Sequence, residues 1–192
     1  MRQFTHVTCC MIAGCLLAVT ASFAHAQPAP PAKPAIGTLM TPAQTYGKLL
    51  TLMEKEFVDA AEAMPEDKYN FAPPVAMGEF KGVRTFGEQI KHVAEANGYF
   101  FHDPTKPMVD NRADIEKLKT KAEIVQALKD SFTQAHAYVN AITPENAFVM
   151  TANGTRAGMA SLGIAHFMDH YGQLVEYLRM NSIVPPASRG KM

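Results

Sequence analysis

His166 and His170 stand four residues apart in the stretch Thr155–Pro186, which reads as one long helix ended by Val184-Pro185-Pro186. At about 100° per residue, the two imidazoles fall within about 40° of each other on one helix face. Such a pair can share an ion. Leu162, Gln173 and Tyr177 lie on the same stripe, so the histidines look inward among mostly apolar neighbours rather than onto the acidic edge of Asp169 and Glu176. A lone inward histidine is commonly a hydrogen-bonded core residue. Two at i and i+4, with an amide one turn on, make a metal site an equal reading.

Several helical metal chemistries are excluded by the residues themselves. Di-iron carboxylate bundles place Glu three residues before His, and none of the seven histidines has that neighbour. Zincin proteases need His-Glu-x-x-His, whereas Phe167 follows His166 and Asp169 directly precedes His170. A Cys-x-x-Cys-His haem site and a P-loop are missing, and Gly158–Gly163 has one residue too many for a nucleophile elbow. What remains is two helical histidines wanting a third ligand. Three neutral imidazoles with an open fourth position suit catalytic zinc, and also nickel, copper or iron. His92 and His136 are the candidates for the third, and spacing does not choose between them.

Four helices would position these residues. Thr41-Pro42 supplies an N-cap and a proline at the first helical position, and Tyr46, Leu50, Met53, Phe57, Ala60 and Met64 then recur at three and four. Glu66–Val83, with Pro73-Pro74, reads as a long connection. Thr85 and Glu88 form a capping box for a second helix with an inward stripe of Phe86, Ile90, Val93, Asn97 and Phe101. His92 lies about 100° from the middle of that stripe, on its flank. His102 closes the helix, where an imidazole suits the dipole, and Asp103–Asn111 is a loop.

Thr120 and Glu123 open a third helix with Ile124, Leu128, Phe132, Ala135, Val139 and Ile142 inward and His136 at the border. Lys117, Lys119 and Lys121 before it form a solvated edge. Asn153-Gly154 marks a turn into the last helix, whose apolar arc, widened by Ile164, Phe167, Tyr171, Val175 and Leu178, suggests a subunit interface. No segment alternates at period two for long enough to build a sheet. The expected fold is therefore all-α, an up-down four-helix bundle over residues 41–186, with residues 187–192 as a tail.

The N-terminus has the form of an export signal: Arg2, the apolar run Val7–Phe23, and the small-x-small site Ala24-His25-Ala26 before Gln27. Cleavage after Ala26 is the expectation, giving a periplasmic or secreted protein. Lipidation at Cys15 is the alternative, disfavoured by the apolar Leu16–Val19 that would follow it. Cys9, Cys10 and Cys15 all lie in the signal, so the mature chain holds no thiol. Residues 27–40, rich in Pro and Ala, form a tether. Of 18 basic and 18 acidic residues, removal of 1–26 takes Arg2 and no acid, leaving a net charge of −1. Neither nucleic acid nor, after cleavage, a membrane is an expected partner.

Three pieces of the sequence resemble the DinB-like family, also described as YfiT-like metal-dependent hydrolases. They are Val83–His92, the run His166-Phe-Met-Asp-His170-Tyr-Gly-Gln173, and Leu178-Arg179-Met180-Asn181 leading to Pro185-Pro186. The likeness spans about residues 41–186. It implies a helical bundle, often dimeric, with a divalent metal held by one histidine of the second helix and two of the last, which by motif position are His92, His166 and His170. Gln173 matches a motif position one turn on and is expected to support the metal from outside. Glu95, one turn after His92, could orient that imidazole.

Two classes of function follow. One is a metal-dependent hydrolase or thiol S-transferase with zinc, nickel or iron, using an open coordination site and a small-molecule substrate that can be a low-molecular-weight thiol. With no cysteine in the mature chain, the nucleophile is water or a thiol from outside, and Glu88 and Glu95 are the candidate proton carriers. The other is a non-enzymatic metal- or small-ligand-binding bundle with an envelope or stress role. A homodimer fits either.

Overall fold

A computed structural model describes residues 33–190. The expected export signal over 1–26, lipidation at Cys15 and residues 27–32 of the tether lie outside the described residues, as do residues 191–192. The chain divides into Met1–Thr38 and Leu39–Met192, and the second unit holds every helix named below.

Four long helices and one short one account for most of the described chain: α1 (Pro42–Ala63), α2 (Phe86–Phe100), α3 (Arg112–Glu116), α4 (Lys121–Asn140) and α5 (Arg156–Met180). Their starts are written in the sequence. Thr41 with Gln44, Thr85 with Glu88, and Thr120 with Glu123 each form a reciprocal capping box, a device that satisfies two orphan N–H groups and contributes about 1 kcal/mol. Before α2, the connection supplies more: Tyr69 and Phe71 carbonyls accept from the Gly87 and Phe86 amides at 2.8 Å. The only strands among the described residues are a two-residue hairpin, β1 (Met150–Thr151) against β2 (Gly154–Thr155). Its turn at Ala152-Asn153 delivers Thr155, whose hydroxyl caps α5 by accepting from the Gly158 amide.

Facing residues fix the direction of each helix. Met64 faces Lys121 and Glu54 faces His136, so α1 and α4 are antiparallel. Tyr46 meets Ser161 and Phe57 meets Phe167, so α1 and α5 are parallel. Gly87 approaches Ile124, Asn97 binds Ser131, and Phe101 lies against Tyr138, which makes α2 and α4 parallel. Strict alternation of consecutive helices is therefore not what these contacts describe. Two parallel neighbours cannot be joined by a tight turn, so the chain returns the length of α2 through residues 101–120, carrying α3 on the way. Phe57, Phe132 and Phe167 meet edge to face at the centre, tying α1, α4 and α5.

Three local expectations need correction. The last helix stops at Met180, well short of Pro185. Ser182 adopts φ 60°, and the amides of Ser182 and Ile183 donate back to the carbonyls of Arg179 and Leu178. This is a Schellman closure made without glycine. Leu162 is 57% exposed, not inward, because Gly163 beside it is the residue that meets α2. Lys121 is not on a solvated edge: its ammonium donates to the Glu62 and Met64 carbonyls at 2.7 and 2.8 Å, satisfying the C-terminal end of α1. Among the described residues no helix is long and apolar enough to cross a membrane.

Candidate metal centre

The α2–α5 seam is unusually close at one point, and that point sets the site. A Cβ at Gly163 would come within 2.6 Å of the Phe101 ring and 2.9 Å of Phe100 Cβ, separations that no packed side chain accepts. Glycine there lets α5 approach α2. His166 follows on the next turn against Phe100, with ring centroids 5.1 Å apart, and His170 follows one turn further.

Across the seam, α2 presents His92. Its ring centroid is 5.2 Å from that of His166 and 4.9 Å from that of His170, and the two α5 rings are 4.7 Å apart. One ring nitrogen from each of the three lies within 4.8 Å of the others. Three metal–nitrogen bonds of about 2.1 Å at tetrahedral angles put their ligand atoms about 3.4 Å apart, so the rings need close by no more than about 1.4 Å. Small rotamer adjustments therefore suffice to bring all three onto a common ion.

The protonation states suit this. His170 is pushed down to about 4 by burial first, and then by His166 and His92. Burial also holds His92 and His166 below the ordinary imidazole range, with Arg84 adding to the effect in both. Near neutral pH the cluster is three uncharged imidazoles with available lone pairs. His166 Nδ1 is buried and has no hydrogen-bond partner among the described residues. An orphaned buried ring nitrogen is costly in a protein interior, and a cation bound at that atom would remove the cost. The residues fit a divalent ion.

His170 is held from behind. Its Nδ1 is 2.6 Å from the Gln89 Oε1, so the ring carries its proton there and leaves Nε2 as the donor atom. Gln89 is in turn fixed by donating from Nε2 to Gln173 Oε1 at 2.6 Å, and Gln173 reaches back to Asp169 at 3.4 Å. Gln173 thus acts through Gln89 and hydrogen-bonds to no histidine. Gln89 falls inside the stretch Val83–His92, but sequence reasoning assigned it no role. The only available signal was an amide one turn before His92 at a position that proves 2% exposed.

Glu95 forms no hydrogen bond to an imidazole. It lines, together with His92 and Glu116, two adjoining cavities of about 650 and 530 Å³. Arg84 and Lys91 wall the first, while Tyr99, Met108 and Arg112 wall the second. The return connection with α3 forms the outer wall of the second cavity, so the parallel run of α2 and α4 is what covers the His92 side of the cluster. Burial, and then the facing Glu116, raise the Glu95 carboxyl. Glu88 is occupied by the Thr85 amide, which lowers its pKa.

His136, the other candidate for third ligand, is elsewhere. Its Nε2 meets Glu54 Oε2 at 2.5 Å across the α1–α4 seam. His102 lies just past the end of α2 and away from the cluster, lining a different cavity.

Among curated proteins no match to the chain was found. The sequence profile described as the DinB superfamily matches residues 49–174, a span that includes α2, α4 and all three clustered histidines.

Proposed function

Because the chain belongs to the DinB superfamily, we propose that it binds one divalent metal ion through His92, His166 and His170 and uses a remaining coordination position as a metal-dependent hydrolase or thiol S-transferase. The carrying observation is the convergence of three neutral imidazoles from two helices, with an orphaned buried nitrogen on His166. The ring of contacts α1–α4–α2–α5 supports a four-helix bundle as the frame. A divalent ion in such a site supplies Lewis acidity toward water or an incoming thiol.

The surrounding residues divide the remaining work. Gln89 holds the His170 tautomer, and Gln173 holds Gln89. Arg84, exposed at the mouth beside His92, offers a positive charge to an anionic part of a substrate. Glu95, half-buried and with a raised pKa, is the group best placed to take or give a proton in the cavity. We read the protein as exported, on the signal-like residues 1–26, and zinc or nickel as the first metals to test, with iron next. Exposed Leu49 and Leu52 on α1 and Leu162 on α5 are compatible with a homodimer.

Elemental analysis of untagged protein should find close to one divalent ion per chain. Activity on esters, amides or thiol adducts that disappears with EDTA would establish the enzyme. Stoichiometric metal that binds no thiol and exchanges no water would leave a metal-binding bundle instead.

A further inference from the structure

A separate cavity of about 490 Å³ lies at the C-terminal end of α2, between the return connection, the C-terminal half of α4 and the first residue of α5. None of the clustered histidines lines it. Its size is within the range of small-molecule sites, about 300–1,000 Å³. Phe101, Pro107, Val109, Ala137 and Tyr138 give it apolar walls.

The charged groups there are out of balance. The Arg156 side chain is 14% exposed, and its nearest carboxylate oxygen, on Asp103, is 3.9 Å away. That exceeds hydrogen-bond reach, and the guanidinium has no other acceptor among the described residues. Asp103 is already committed, since its Oδ1 accepts from the Thr105 amide at 3.0 Å and hydroxyl at 2.8 Å. Lys106 stands 3.8 Å from the other oxygen of Asp103. One carboxylate therefore lies between two cations and hydrogen-bonds to neither.

With no protein acceptor in hydrogen-bond reach among the described residues, the Arg156 fork is free to take a two-oxygen anion, which its planar geometry matches. The aromatic and aliphatic walls would be wasted on an inorganic ion but suit a short hydrocarbon body. Tyr138 is itself held in place by donating to the Arg156 carbonyl at 3.1 Å.

We propose that this cavity is a second, metal-independent binding site for a small organic carboxylate, docked on Arg156 with its apolar body against Tyr138 and Pro107. The site does not depend on the reaction at the histidine cluster. Its placement along α2, with Gly98 and Val109 shared between this cavity and the one holding His92, puts a carboxylate ligand where it can adjoin the metal centre.

The test is a titration of the ¹⁵N-labelled, metal-loaded protein with benzoate and butyrate, against benzamide and inorganic phosphate. Both carboxylates should shift the amide signals of Gly98, Ala137 and Arg156 saturably, with neither control doing so comparably. Arg156→Gln should weaken binding about tenfold or more, the loss expected for a charge-assisted hydrogen-bond pair. Ala137→Trp, at an exposed helix position, should block the cavity without touching the core. EDTA-treated protein should bind benzoate as well as the loaded form. Equal response to benzamide or phosphate, or binding that survives both substitutions, would overturn the proposal. So would binding lost on metal removal, since the carboxylate would then be sitting on the ion.

Discussion

The α2–α5 and α1–α4 seams each contain histidine facing polar groups from the opposite helix, yet they differ in what the imidazole meets. Across α1–α4, His136 meets the Glu54 carboxylate, Lys129 meets Glu62, and Lys121 meets helix-end carbonyls. Each of these three groups finds a partner of opposite character. Across α2–α5, imidazoles meet other imidazoles and an amide, and His166 Nδ1 finds no hydrogen-bond partner among the described residues. Unspent acceptor capacity, rather than the presence of histidine, separates a candidate metal site from a structural pair.

The largest expected effect breaks this contrast directly. His166→Ala or His170→Ala should lower bound metal to background by elemental analysis, while His136→Ala leaves it unchanged. Retention of metal by the first two, or its loss in the third, would reverse the assignment of the seams. Next comes Gln89→Leu, which removes the acceptor behind His170 and frees its tautomer. Changes to such outer groups cost about 10–100-fold in metal affinity, measurable by competition with a chromophoric chelator. Gln89→Glu should retain or tighten binding, and Gln173→Leu should fall between the two.

The capping boxes and the three-and-four spacing made helix starts and most core residues legible, because those signals are local. The third member of the histidine cluster was not. His92 appeared as a flank residue, and whether a flank residue reaches another helix depends on the interhelical distance, which here is set by the absent side chain of Gly163 against Phe101. A single glycine in an apolar run carries no mark of what it touches. The family resemblance pointed to His92 where spacing left His136 equally open. The return connection, and with it the cavity wall near His92, escaped for a related reason: parallel α2 and α4 follow from long-range pairs such as Asn97 with Ser131. Ser182 in the left-handed region ended α5 without the glycine that normally announces it.

Gly163 provides the next test. Gly163→Ala must push α2 and α5 apart, an overpacking cost of about 1–3 kcal/mol, and should loosen metal binding along with stability. Gly172 is its control, since a Cβ added at that position of the same helix would have nothing within 4 Å. Gly172→Ala should gain up to about 1 kcal/mol from helix propensity and leave metal affinity alone. Equal effects in urea unfolding would mean that close approach of the seam is not what assembles the cluster.

Acidity probes the same seam with a comparable or smaller effect. Folding holds His170 at about 4, against about 6.5 in an unfolded chain. Between these values the unfolded chain binds the additional proton, so metal-free protein should lose stability as pH falls from about 6.5 toward 4, then level off. Allowing for solvent screening, the loss from this group is on the order of 1–2 kcal/mol. His170→Asn should flatten the slope in pH-dependent urea melts. The metal-loaded form should fall more steeply over the same window, because protons also displace the ion.

The smallest effect belongs to the α1–α4 pair. His136 and Glu54 side chains are 32% and 25% exposed, so water screens them and both groups can be solvated once separated. A pair of this kind contributes about 0.2–1 kcal/mol, well below the cost of disturbing the tighter seam. His136→Ala, Glu54→Gln and the double variant should therefore melt within that margin of the parent. The double-mutant cycle should return a coupling of the same size that shrinks in high salt. A coupling of several kcal/mol, or one insensitive to salt, would show that His136 belongs to a buried network after all, and the contrast between a saturated and an unsaturated seam would lose its basis.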